Sequence, residues 1–386
     1  MTNDTVKGFR DYTGEEARKR QRIKGIIAGI FQKYGFEVAE TPVLEYEEFV
    51  KSGNEPSEVI SDIFKLQDKG KRNLALRYEF TFQLKRIAQN KKLPYRRYQI
   101  GEVFRDEPVS TNRVRQITQC DADIIGSTAK DEAEILALAS EILKALGINA
   151  VICINNRKLL NEILDSEGIK NKSEVMREID KLDKMPEDEI RKNLKKYKAD
   201  KLLSVFKKPE KFFAKYMSYK EIKELKKECQ NYSIKVNFSP SLARGLSYYN
   251  GSIWEIKTKE MKETIIGGGS YPVNGIPSTG ISFGIERLSH LATIDAPEKR
   301  ILIISIGQDE KAIKLSESLR QSSVPCLIMY NKVSKALEFA NSYQLPYVIF
   351  LGEEEAKKKK VKLRDMKTGK EEMMKETKLL DLLKKI

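Results

Sequence analysis

The stretch Tyr98-Gln99-Ile100-Gly101-Glu102-Val103-Phe104-Arg105-Asp106-Glu107 alternates apolar and polar residues and ends in charge, the pattern of a β-strand leaving its sheet. A polar loop through Pro108 and Asn112 follows, and residues 113–125 alternate well enough for a returning strand. Far along the chain, Gly280-Ile281-Ser282-Phe283-Gly284-Ile285-Glu286-Arg287-Leu288 holds glycines that admit close packing before a helix begins. Arg105 and Arg287 stand near the ends of these two runs. A guanidinium fork matches phosphate oxygens as lysine does not, and two forks can grip one triphosphate from opposite sides. The pattern therefore points to a chain that bends and activates ATP.

Both segments resemble motifs of the class II aminoacyl-tRNA synthetases. Phe104-Arg105-Asp106-Glu107, its loop and the returning strand are similar to motif 2, and the Gly-Ile-Glu-Arg-Leu ending at Leu288 is similar to motif 3. The resemblance implies the class II synthetase fold, an α+β catalytic domain whose antiparallel sheet is flanked by helices.

Composition bounds the rest. With 386 residues, 40% of them hydrophobic, the chain can build two or three domains with good cores. No apolar run approaches a membrane span, and Met1-Thr2-Asn3-Asp4 lacks the basic and apolar regions of a signal peptide, so a cytoplasmic protein is expected. The net charge of +15 favours a polyanionic partner, but a lysine-rich, solvated surface accounts for it equally well. Cys120, Cys153, Cys229 and Cys326 form no Cys-x-x-Cys pair, which argues against a disulfide framework and structural zinc. One histidine, His290, allows no multi-histidine metal site. It reads as a helix-surface or packing residue.

Residues 14–34 predict an amphipathic helix, and 36–43 a strand carrying Pro42. This arrangement resembles motif 1, which in the family forms a homodimer interface; an ordinary core helix and edge strand fit nearly as well. A hairpin is expected from 63–67 and 73–78 around Asp68-Lys69-Gly70, then helices over 79–89 and 131–146 and a strand over 252–258. Between 156 and 232 the pattern turns to lysine- and glutamate-rich helices, as at 172–182 and 187–198. Apolar strands at 301–306, 326–330 and 347–351, separated by helices at 309–321 and 332–343, predict a small α/β domain with a parallel sheet. The expected division is a catalytic core from 1–155 and 233–295, a helical insertion at 156–232, and a terminal α/β domain at 299–386. The last resembles the anticodon-binding domain of several class II synthetases.

Leu242-Ala243-Arg244-Gly245-Leu246-Ser247-Tyr248-Tyr249 is similar to the Arg-Gly-Leu-Asp-Tyr-Tyr signature of histidyl-tRNA synthetases and their relatives. Gln119-Cys120-Asp121-Ala122-Asp123 and Asn155-Asn156-Arg157-Lys158-Leu159-Leu160 resemble the archaeal and eukaryotic branch of that family. The resemblance implies that Glu79 and Thr81 hold the α-amino group of histidine, where a carboxylate and a hydroxyl suit an ammonium. It places Arg105 on the α-phosphate of ATP, Glu107 at the adenine, Arg113 on the outer phosphates and Arg287 on the nucleotide, with Arg115 a competitor for the role of Arg113. Gln119 and Asp123 would meet the imidazole, with Tyr248, Tyr249 and Tyr271 closing the pocket. Arg244 would stand between the histidine carboxylate and the α-phosphate, neutralising charge during attack. Ser247 and Ser270 depart from the family's aspartate and arginine. Lys357 to Lys360 reads as a solvated turn.

The resemblance thus implies a histidine-activating ligase that uses ATP with Mg²⁺ and acts on tRNA(His), with no residue assigned as a metal ligand. Two other functions fit parts of the pattern. One is a non-catalytic paralogue that senses histidine or serves as a regulatory subunit; the other is a class II synthetase for proline, threonine or glycine.

Overall fold

The structure is a computed structural model and describes residues 3–51, 61–110, 114–182, 185–244, 248–330 and 332–384. The chain forms two compact units, one of Met1–Asp11 with Lys19–Ile294 and one of Tyr12–Arg18 with Asp295–Ile386.

In the first unit, β1 (Glu37–Val38) precedes a small antiparallel sheet of β2 (Leu44–Tyr46), β3 (Lys65–Gln67) and β4 (Asn73–Leu76), ordered β2-β4-β3. The expected hairpin is the β3/β4 pair. Next come β5 (Tyr95–Phe104), β6 (Gln116–Ile125), β7 (Val151–Asn156), β8 (Val236–Phe238), β9 (Ser252–Lys257), β10 (Ile266–Val273) and β11 (Ile276–Gly284). With β1 these make an eight-stranded sheet, ordered β1-β5-β6-β11-β10-β9-β7-β8. Its interior is antiparallel, with β5 and β6 in register from Tyr95↔Ile125 to Phe104↔Gln116. A parallel pair sits at each edge, β1 with β5 and β7 with β8. Both edge strands are short and follow helical segments, which is how a parallel neighbour is normally reached. Only Glu37–Val38 of the strand expected over 36–43 joins this sheet.

Alternation gives the sheet two different faces. On one, the helix Gly14–Lys33 buries Ile23, Ile27, Ile30 and Phe31, and the Phe31 ring lies 5.1 Å from Tyr98 and 6.3 Å from Phe283. The helix Ala129–Ala145 buries eight apolar residues; Thr128 opens it, its backbone N–H donating to the Asp131 carboxylate at 2.8 Å. The other face carries Gln119, Asp121 and Asp123 of β6 opposite Gly284, Ser282 and Gly280 of β11.

The helical segment expected at 156–232 contains Arg157–Ser166, Lys172–Ile179, Glu187–Lys195, Leu202–Phe206 and Tyr219–Asn231. Asn156 caps the first, its side-chain oxygen accepting from the Lys158 N–H at 2.8 Å. These helices do not form a core of their own. Leu159, Ile163, Met176, Leu194, Phe213 and Leu225 belong to one continuous apolar core with Ile135, Ile154 and Ile256 of the sheet and its flanking helix.

In the second unit, β12 (Ile301–Ser305), β13 (Cys326–Met329), β14 (Tyr347–Leu351), β15 (Val361–Asp365) and β16 (Glu371–Met374) are ordered β13-β12-β14-β15-β16. The first three are parallel, as expected, with helices Asp309–Gln321 and Val333–Ser342 between them. The sheet is nonetheless mixed, because β15 and β16 add an antiparallel hairpin. The Asp365 carboxylate accepts from the N–H groups of Lys367 and Thr368, each at 2.8 Å, and Gly369 takes φ +72° to close the turn. Dense lysine and glutamate hide the apolar alternation of Val361 and Leu363 in the sequence.

Candidate active site

The polar face of the large sheet floors a cavity of about 330 Å³. Glu79, Thr81, Arg105, Glu107, Gln119, Arg244, Tyr248, Tyr249 and Arg287 all line it, brought from the chain before β5, from the chain that follows β5, from β6, from the chain between β8 and β9, and from the helix Ile285–Leu291. Three guanidinium groups thus share one cavity. Asp123 and Tyr271 do not line it; they lie buried at its side, the Tyr271 hydroxyl donating to the Asp123 carboxylate. Arg113 and Ser247 lie outside the described residues.

Arg105 emerges at the end of β5, where Nη2 donates to the Gln119 side-chain oxygen at 3.1 Å and Nε to the Tyr78 carbonyl at 3.4 Å. Its guanidinium carbon sits 4.6 Å from the centre of the Tyr78 ring. Arg115 is committed elsewhere, donating to the Glu107 carbonyl and pairing with Asp106, each at 3.1 Å. Arg287 donates to the Thr264 carbonyl at 2.6 Å. Arg244 pairs with Glu255 at 3.2 Å and lies above Gly267, where a Cβ would overlap its guanidinium. Gly280 makes the same allowance for the Asp123 carboxylate. These glycines are needed for close approach of side chains, not for turns.

The acidic side of the cavity is strongly desolvated. Burial pushes the Glu79 carboxyl up to about 7, against the opposing pull of Arg105. Among the described residues its Oε1 has no hydrogen-bond partner. Asp121 and Asp123 are likewise raised, first by burial; Asp123 adds to the rise at Asp121, while Arg97 pulls both down. The Gln119 amide donates to both Asp121 oxygens, at 3.0 and 3.1 Å, which fixes its oxygen toward Arg105. Tyr248, Tyr249 and Tyr271 form an aromatic cluster with centroids 4.7, 5.4 and 6.2 Å apart. Tyr249 and Tyr271 are buried and Tyr248 is half-buried.

Several residues were missed by the sequence reading. Asp121 shares the β6 face with Gln119 and Asp123, so the period of two could have found it. Arg97, opposite Asp123 on β5, pairs with it at 2.8 Å. Glu286, next to Arg287, accepts from Arg20 at 2.9 Å and from the Thr118 N–H at 3.1 Å, and its Oε2 is unpartnered among the described residues. His290 is exposed on its helix, as expected. No group of three or more His, Cys, Asp or Glu able to hold a metal occurs among the described residues.

A nucleotide-sized cavity holding three arginines, beside a desolvated carboxyl and an aromatic cluster on an antiparallel sheet, has the features of a class II synthetase catalytic centre. Comparison with known proteins agrees. The histidyl-tRNA synthetase family profile matches residues 8–288, and an anticodon binding domain profile matches 300–386. Histidine–tRNA ligase 1 of Bacillus cereus is 34% identical, over 96% of this chain and 95% of the relative. Histidine–tRNA ligase of Wolinella succinogenes is 33% identical, with 96% and 95% covered. The crystal structure of histidyl-tRNA synthetase from Nostoc sp. superposes with a TM-score of 0.86 at 24% identity, covering 100% of this chain and 99% of that one. A Bacillus halodurans structure described as an ATP phosphoribosyltransferase regulatory subunit/histidyl-tRNA synthetase gives 0.78 at 21% identity, covering 90% and 98%. At those identities the two structures speak to the fold alone. The chain belongs to the histidyl-tRNA synthetase family.

Proposed function

We propose that the protein is a histidine–tRNA ligase, joining histidine to ATP as histidyl-adenylate with release of pyrophosphate, then passing the histidyl group to the 3′-terminal ribose of tRNA(His). The carrying observation is the convergence of Arg105, Arg244 and Arg287 on one cavity with Glu79, whose Oε1 has no hydrogen-bond partner among the described residues. An ammonium placed against Glu79 would supply the missing partner and return the buried carboxyl to its charged form. The histidine carboxylate oxygen attacks the α-phosphorus as the bond to the bridging oxygen of pyrophosphate breaks. Arg105 and Arg244 are placed to neutralise charge spreading over the equatorial oxygens, and Arg287 to hold the leaving end. Thr81 assists Glu79, Glu107 meets the adenine, and Arg113 the outer phosphates. Gln119 and the Asp123–Tyr271 pair recognise the imidazole, Tyr248 and Tyr249 covering it. In the second step the ribose hydroxyl attacks the acyl carbon and AMP departs.

Mg²⁺ in nucleotide sites is held by one or two carboxylates together with the substrate's own phosphates. Glu107 and Glu286, whose Oε2 has no partner among the described residues, are the cavity carboxylates that would join it, and the ion would supply charge neutralisation to the phosphates.

Homodimer formation is supported by the helix Gly14–Lys33 leading into β1 and by exposed Val38, Val43, Leu44 and Tyr46 beyond it. The match of an anticodon binding domain profile to 300–386 supports binding of tRNA by the second unit. Cytoplasmic residence is consistent with four free cysteines and with the absence, among the described residues, of a helix long and apolar enough to cross a membrane. An archaeal/eukaryotic-like placement rests on the 119–123 and 155–160 runs, whereas the relatives named above are bacterial. A phylogeny decides it.

Amino-acid-dependent ATP–pyrophosphate exchange tests the function. Exchange with histidine alone is expected; exchange with proline, threonine or glycine would redirect the assignment. Histidine binding without exchange would favour the regulatory reading.

A further inference from the structure

We propose that Arg97 is a positioning residue for histidine recognition, a buried counter-ion that holds the Asp123 carboxylate and, through it, the Tyr271 hydroxyl at the side of the cavity. The inference rests on the ligase reading above. Arg97 does not line the cavity and is fully buried, 0% exposed. Its Nη2 lies 2.8 Å from Asp123 Oδ2 and 3.3 Å from the Phe80 carbonyl. Phe80 stands between Glu79 and Thr81, so one guanidinium touches both the expected ammonium-binding segment and the expected imidazole-binding acid.

Charge explains why an arginine stands there. Asp121 and Asp123 share one face of β6, roughly 7 Å apart along the strand, and both are buried. Two carboxylates so placed cannot both ionise cheaply without a cation. The groups facing Asp123 are Arg97 from β5, Asp121 on its own strand, Tyr271 from β10 and, through space, Glu79. Arg97 is the cation among them in direct contact. A fixed guanidinium also keeps Asp123 as an acceptor, so that Tyr271 donates to it and presents its oxygen rather than its proton to a ligand. For a substrate with one N–H and one bare ring nitrogen, that choice decides which end of the imidazole fits.

The test uses full-length wild type, Arg97→Met, Arg97→Lys and the pair Arg97→Met/Asp121→Asn. Histidine-dependent pyrophosphate exchange is followed from about pH 5.5 to 9, spanning carboxyl and imidazole titrations. Calorimetric titration with histidine is run alongside. Arg97→Met is expected to raise the histidine KM about 10–100-fold with the ATP KM unchanged. The acid limb of its profile should move to higher pH, because a carboxyl without its cation ionises only at higher pH. Removing one acid in the double variant should recover part of the affinity, and Arg97→Lys should show a smaller shift of the same sign. A lower melting temperature with wild-type KM and pH profile would overturn the proposal, as would histidine and ATP KM rising together. If Arg97→Met does not fold, Arg97→Lys decides on the same criteria. Absence of exchange in the wild type would count against the ligase alone, since calorimetry still reads the effect of Arg97 on histidine binding.

Discussion

Strands β6 and β12 are both mostly buried, for opposite reasons. β12 is Ile301-Leu302-Ile303-Ile304-Ser305, and burying its aliphatic side chains contributes on the order of 1.5–3 kcal/mol each. β6 is buried from Thr118 to Ile125, yet it carries Gln119, Asp121 and Asp123 inward on one face. Burial stabilises the first strand on both faces, whereas in the second only the face of Cys120, Ala122 and Ile124 gains, and the polar face is costly and relies on Arg97, Tyr271, Arg105 and Ser282 as partners. The face that is costly to bury is the one equipped for chemistry.

Substitutions can break that contrast. The largest effect is expected at Arg244. Arg244→Ala should slow adenylate formation by about 10²–10³-fold in single-turnover measurements while histidine affinity changes little. Equal losses in both would return Arg244 to a structural role with Glu255. Next, Ile303→Ala should cost about 2–5 kcal/mol in the denaturant unfolding of the second unit. Pyrophosphate exchange should persist under native conditions; a parallel loss of exchange would mean that the two strands are not energetically distinct.

Glu79 gives a smaller effect with a definite sign. Its carboxyl titrates near 7 in the fold, above its ordinary value, so ionisation destabilises the protein as pH rises from the ordinary carboxyl range through 7. Glu79→Gln should therefore raise stability at pH 8 by about 2–3 kcal/mol while weakening histidine binding. In the wild type, histidine KM should be roughly tenfold higher at pH 6 than on the alkaline plateau, because the carboxyl is then mostly protonated. The variant should keep only the part due to the substrate's own imidazole; identical profiles would remove Glu79 from the site. Smallest of all is Lys358→Ala, which breaks an exposed pair with Glu354 one helical turn away. Differential scanning calorimetry should detect no change in melting temperature.

The same contrast explains what was legible in the sequence. β12 and its parallel neighbours stand out as apolar runs between amphipathic helices, and the helix Asp309–Gln321 falls where the pattern places it. Arg105, Arg244, Arg287 and Glu79 were found because they sit in recognisable motifs, and they do share one cavity. Arg97 and Asp121 were not. In isolation their alternation reads as a polar face turned to water, whereas in the fold both are buried, beside a cavity lined by Tyr78, Glu79, Arg244, Tyr248 and Tyr249. The β15/β16 hairpin escaped for a different reason: its charged residues outnumber the few side chains that reach the core.

Because Leu159, Ile163, Phe213 and Leu225 share their packing with Ile154 and Ile256, the helices described between 157 and 231 are joined to the sheet by one core and could not be lifted away without opening it. Phe238 of β8 shows the join at atomic scale, its ring centroid 5.2 Å from Phe213 and 5.6 Å from Tyr219. Excision of this stretch would leave raw hydrocarbon on the back of the catalytic layer. A graft from a distant relative would have to import both sides of the contact. Evolution could decorate the outer, lysine-studded flank freely, but the inner flank is bound to the fate of the sheet.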